Sequence, residues 1–196
     1  MVSVLAVNNY PTEERFRRLR NCLEESGALV TAVAWSEVSM QRLASYDGVA
    51  LSGSPDMLSD DATLSKFGAE AEAVRDSPVP VLGVCFGHQL IARAFGGSVV
   101  RARRPVLRFV STDLVTKKGR LFEGLDSPLS LLESRHEVVE SLPGGFDLLA
   151  KSETTQIAAM KHRKRPIYGV QAHPERYSKE NRDGKRLVAN FVGSLV

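Results

Sequence analysis

Two cysteines in 196 residues are too few to staple a fold, and Cys22 lies in a helical pattern far along the chain from Cys85. A disulfide framework is therefore not expected, and a reducing compartment is. The chain has no cluster of Cys and His at zinc spacing, so no metal is expected in it. No apolar run approaches membrane-spanning length, which argues against a membrane partner. The opening stretch Met1–Val7 lacks the basic start and long apolar core of a secretory signal, which predicts a cytoplasmic location. Neither sign of charge dominates: 26 Lys and Arg against 23 Asp and Glu give a mildly basic balance that favours solubility and does not point to nucleic acid. Repeats and low-complexity segments are also missing. What remains is the composition of one compact α/β domain, residues 1–196, large enough to bury a core without crosslinks.

What the chain does contain is a series of short apolar runs alternating with helical patterns. Val2–Val7 is a continuous apolar run, as expected of a strand covered on both faces in a parallel sheet. Thr12 is placed to cap a helix whose first turn carries Glu13 and Glu14, and Phe16, Leu19 and Leu23 form its buried stripe up to Gly27. Ala28–Ala34 reads as the second strand, residues 37–44 as a short helix, and Val49–Leu51 as the third strand. The loop Ser52-Gly53-Ser54-Pro55-Asp56 follows, with Asp56 expected to cap the next helix. Leu58–Asp61 reads as polar and mobile, and Ala62–Arg75 as one helix. After residue 98 the pattern changes to strands separated by Gly and Pro turns, which predicts an antiparallel or mixed extension of an open, mostly parallel sheet. Residues 181–195 read as a closing helix with Leu187, Val188, Phe191 and Leu195 on one face.

The most informative stretch is Val79–Ala92. A β-branched run stops at Cys85 and continues without a loop into a helical pattern, which puts the thiol on a sharp strand-to-helix corner. Gly83 and Gly87, two residues to either side, are the small neighbours that such a corner needs. The first amides of the helix favour thiolate over thiol. A nucleophile needs a base, and of the four histidines His173 has the right company. It ends an apolar run and is followed by Pro174 and Glu175; residues two apart in extended chain share a face, so Glu175 can orient the imidazole. The clusters Lys161–Arg165 and Arg101, Arg103, Arg104 are expected to be solvated surface.

Gly83-Val84-Cys85-Phe86-Gly87-His88-Gln89 together with His173-Pro174-Glu175 resembles the triad-type (class I) glutamine amidotransferases over almost the whole chain. The resemblance implies hydrolysis of L-glutamine with Cys85, His173 and Glu175 as catalytic residues. By position it implies an oxyanion hole made of the Ser54 and Phe86 amides, with Ser54 where the family commonly has Gly, which requires a negative φ there. It further implies that Gly53, Gln89, Ser134 and His136 touch substrate, the alternative for His136 being a solvated strand position. Such domains pass ammonia to an ATP-dependent synthetase or other synthase subunit, so ATP and Mg are expected on that partner and no cofactor in this chain. Gly184, Leu187, Asn190 and Phe191, together with the Cys85-Phe86-Gly87-His88-Gln89 corner, look most like glutaminase subunits of two-subunit GMP synthases, with those of anthranilate synthase next; Ala172 departs from both, which usually carry an aromatic residue there. A stand-alone γ-glutamyl peptidase or hydrolase, and a non-catalytic regulatory relative, are the competing readings.

Overall fold

The computed structural model describes residues 1–116 and 119–196. Five strands lie parallel in the order β2 (Ala28–Ala34), β1 (Val2–Asn8), β3 (Gly48–Leu51), β4 (Val81–Val84), β9 (Ile167–Val170). The sheet then continues antiparallel through β8 (Thr155–His162), β7 (Phe146–Ser152), β5 (Ser98–Leu114) and β6 (Leu129–Ser141). The result is an α/β fold with a nine-stranded mixed sheet.

Alternation along each parallel strand divides the core. Val4 and Ala6 of β1 face Phe16, Leu19 and Leu23 of α1 (Glu13–Glu25) and Leu187, Val188 and Phe191 of α6 (Asp183–Gly193). Leu5 and Val7 point the other way, toward Phe67, Val74, Phe86 and Leu90. That second layer holds α2 (Met40–Leu43), α3 (Asp61–Lys66), α4 (Gly68–Arg75) and α5 (Phe86–Ala94). With both faces covered, the central strands read as unbroken apolar runs.

Local details depart from expectation in four places. Thr12 has extended backbone at the start of α1 but its side chain makes no capping bond. The helix expected over 37–44 divides into a 3-10 turn at Trp35–Glu37 and α2, whose start is capped by Ser39 accepting from the Arg42 amide. The helix expected over Ala62–Arg75 breaks at Phe67, which leaves helical geometry as its ring buries against Trp35 and Phe86. Its cap is Asp60, which accepts from the Ala62 and Thr63 amides, whereas Asp56 instead pairs with Lys66 at 2.7 Å.

Parallel strands all run the same way, so the segments following β1, β3, β4 and β9 emerge together at one carboxyl edge. Those segments carry Asn9–Tyr10, Ser52–Asp56, Cys85 and Gln171–Glu175. Among the described residues no helix is long and apolar enough to cross a membrane.

Candidate active site

Cys85 stands between β4 and α5 with φ 51° and ψ −98°, the one positive φ outside glycine among the described residues. An L-residue reaches that region only under constraint. The constraint is visible: the Cys85 amide donates to the Val170 carbonyl at 2.9 Å, and the Gly87 amide to the Ser52 carbonyl at 3.2 Å. A Cβ on Gly83 would come within 2.5 Å of the Gly87 carbonyl oxygen, and one on Gly87 within 2.8 Å of the Leu51 carbonyl oxygen. Glycine is required at both positions because backbone meets backbone there.

His173 arrives on the segment after β9, held by its own amide donating to the Leu132 carbonyl at 2.7 Å. Its Nδ1 lies 2.8 Å from Glu175 Oε1, and both side chains are almost wholly buried. The other ring nitrogen is left for the Cys85 sulfur. Burial alone would lower the His173 pKa; the charges of Glu175 and Cys85, with hydrogen bonds to both, outweigh it and push it up to about 10. A protonated imidazole between a carboxylate and a sulfur is the geometry of a nucleophile, a base and its orienting group. The same two negative groups, after burial itself, raise the Tyr10 hydroxyl pKa, so Tyr10 stays neutral beside them.

The triad-type residues open onto a cavity of about 550 Å³ lined by Ser54, Gln89, Ser134 and His136 together with Cys85, His173 and Glu175. Ser134 and His136 sit two apart on β6 and face the cavity, while Glu133, Arg135 and Glu137 alternate into the interior. The Ser134 carbonyl lies 3.6 Å from Cys85 Sγ, and His136 is exposed at the mouth. Ser54 does not have positive φ, so serine is tolerated where the family commonly has glycine. Among the described residues neither the Ser54 nor the Phe86 amide meets a protein acceptor. Gly53 packs under the imidazole, where a Cβ would meet His173 Cε1 at 2.9 Å. Gln89 is buried, its Nε2 donating to the Glu137 carbonyl at 3.1 Å and to Gln171 Oε1 at 3.3 Å.

A match to the family model described as glutamine amidotransferase class-I spans residues 12–194. This chain belongs to the class I glutamine amidotransferase family. The amidotransferase is 32% identical over 192 residues to the glutamine-hydrolyzing GMP synthase subunit of Methanothermobacter thermautotrophicus, covering 97% of each chain. It is 40% identical over 152 residues to the subunit of the same name from Thermococcus kodakarensis, covering 76% of this chain and 77% of that one. Its structure resembles the crystal structure of a protein described as a GMP synthase subunit from Thermoplasma acidophilum, with a TM-score of 0.86 and 31% identity, covering 100% of this chain and 94% of the other.

Three parts of the amidotransferase site carried no sequence argument. Gln171 Nε2 points at Cys85 Sγ from 3.8 Å; its position two before His173 on an extended run was the available signal, since such residues share a face. Glu137 is buried and accepts from the Leu58 amide at 2.7 Å and the Ser59 amide at 3.2 Å. The stretch expected to be mobile is thus tied down across 79 residues of sequence, and Leu58 is fully buried. Arg15, Arg17, Arg18 and Arg176 also line the mouth, brought there by α1 and by the turn after Glu175.

Proposed function

We propose that residues 1–196 act as one glutaminase domain that hydrolyses L-glutamine to glutamate and ammonia through Cys85, His173 and Glu175, and that it serves as the glutaminase subunit of a two-subunit GMP synthase. The observation that carries this reading is the buried Glu175–His173 pair at 2.8 Å, with the strained Cys85 corner on the other side of the imidazole. The thiolate attacks the side-chain amide carbon of glutamine. The Ser54 and Phe86 amides receive the developing oxyanion, and His173 gives its proton to the departing ammonia. Water then enters, gives a proton to His173, and cleaves the γ-glutamyl thioester, releasing glutamate and restoring the thiolate. Gly53 shapes the floor, while Gln89, Ser134 and His136 contact the amino-acid end of the substrate.

Ammonia then passes to an ATP-dependent synthetase subunit, which would supply ATP and Mg; this chain needs no cofactor of its own for the steps above. Similarity along 97% of the chain to a glutamine-hydrolyzing GMP synthase subunit supports GMP synthesis over anthranilate synthesis. A thiolate nucleophile and two free cysteines favour the cytoplasm, where thiols stay reduced.

The test is reconstitution. Combined with ATP and a cognate synthetase subunit, the chain should support glutamine-dependent GMP formation, and Cys85→Ala should abolish it while GMP formation from added ammonia continues. Faster release of glutamate from γ-glutamyl dipeptides by the chain alone, with no coupling to the synthetase, would replace this reading by that of a peptidase.

A further inference from the structure

Behind the loop that bears Ser54 lies a carboxyl group that the chemistry above does not use. Glu70, on α4, is 0% exposed, and Oε1 accepts from Asn9 Nδ2 at 3.1 Å. Two buried oxygens, Glu70 Oε2 and Asn9 Oδ1, have no hydrogen-bond partner among the described residues. Both belong to the two planar groups already joined by the Nδ2–Oε1 bond. Exchanging the Asn9 oxygen and nitrogen gives no relief, since it would set an acceptor against both Glu70 Oε1 and the Ser52 carbonyl, which Nδ2 also faces at 3.4 Å. A proton on Glu70 would turn one unpartnered oxygen into a donor, with Asn9 Oδ1 the unpartnered acceptor on the group it already faces, which is the make-up of a two-point carboxylic acid–carboxamide pair.

The pair is connected to the site. The Asn9 amide donates to Ser52 Oγ at 2.9 Å, and Ser52 Oγ donates to the Gly53 carbonyl at 2.9 Å. The Ser52 carbonyl accepts from the Gly87 amide at 3.2 Å, on the far side of the Cys85 corner. The carbonyl of Gly53 belongs to the same peptide unit as the Ser54 amide. Holding it fixes where that N–H points.

We propose that Glu70 is a positioning residue for glutamine hydrolysis: carrying a proton, it locks Asn9, and through Asn9 and Ser52 it aims the Ser54 amide at the reacting centre. This rests on the reading of Ser54 as an oxyanion donor. Burial raises the Glu70 pKa to about 8, against a smaller opposing effect of the Asn9 hydrogen bond. Charged groups on the elements packed around α4 are engaged with one another at the surface: Glu37 with Arg42, Lys66 with Asp56, Arg93 with Asp61, and Arg75 with Asp76. Glu72 of α4 faces solvent, and His88 of α5 is buried, its pKa lowered to about 4 by burial, and is therefore neutral. Above about pH 8 Glu70 ionises, the shared proton is lost, and the brace loosens.

Two measurements test this. Infrared difference spectra between the wild-type chain and Glu70→Gln at neutral pH should contain the carbonyl band of one protonated carboxyl, which disappears as the pH passes about 8. Absence of that band at neutral pH overturns the proposal. In glutamine hydrolysis, Glu70→Leu should lower kcat by about tenfold or more with little change in KM, as expected when a transition-state contact is misaligned. Glu70→Gln repeats both hydrogen bonds without a titrating proton, so it should recover most of that loss and abolish the wild-type fall in rate near pH 8, a limb distinct from that of His173 near 10. A Gln variant as slow as the Leu variant, or one that keeps the wild-type limb, overturns it. The infrared band needs no enzyme turnover, so a chain that fails to hydrolyse glutamine and a chain whose Glu70 does not brace the loop give different results.

Discussion

The Glu175 carboxylate holds His173 from 2.8 Å at a point where both side chains are 4% exposed, so their charges act on each other with little screening by water. This pair sets the protonation of the site. Burial works against a charged imidazole, and Glu175 is the largest of the influences that overcome it.

Glu175→Gln removes that influence while keeping the shape. The folded-state pKa of His173 lies above its ordinary value, so the stability it contributes is present below about 6.5 and is lost as the pH rises through about 10. The rate should follow the same imidazolium. We expect Glu175→Gln to reduce kcat by roughly 10- to 100-fold, less than removal of the nucleophile, and to shift the alkaline limb downward toward neutral pH. A pH–rate profile superimposable on that of the wild type would remove Glu175 from the mechanism.

Backbone strain at Cys85 gives a second expectation, read in stability and activity at once. Cys85→Ala and Cys85→Gly should both leave below about one percent of the wild-type rate, a barrier increase of ~2.7 kcal/mol or more. They should differ in stability, because alanine keeps the cost of φ 51° and glycine does not. Urea unfolding should find the glycine variant more stable than the alanine variant by about 1 kcal/mol. The reverse order would mean the corner is relaxed.

Glu137 joins the loop after β3 to the antiparallel half of the sheet through two backbone amides. Cutting that tie with Glu137→Ala leaves the buried Leu58 amide without an acceptor, at a cost of about 2 kcal/mol. Hydrogen exchange at Leu58 and Ser59 should accelerate, and glutamine hydrolysis should weaken because Ser54 lies on the same loop. Unchanged exchange at Leu58 would show that apolar burial alone holds this loop.

Much of this was legible along the chain because the information was local. Strands β1, β3 and β4 announce themselves as apolar runs, since a strand covered on both faces has no polar side to show. The corner at Cys85 is written in Gly83 and Gly87: Gly83 is required by the Gly87 backbone four residues on, whereas Gly87 is required by the Leu51 backbone at the end of β3. Local signals were weaker where packing overrode them: Phe67 interrupts a helix because its ring is claimed by Trp35 and Phe86 from elsewhere in the chain.

By itself, then, the order of residues determined a thiol on a strand-to-helix turn, a histidine with a carboxylate two places on, and an alternating α/β pattern. Tertiary structure decided which distant groups surround them. Gln171 beside the sulfur, Glu137 under Leu58, and Glu70 behind Asn9 are separated from their partners by 86, 79 and 61 residues. Nothing in a local pattern distinguishes such a glutamate from a solvated one. The difference arises only when burial withdraws water and leaves each polar group to find a partner in the fold.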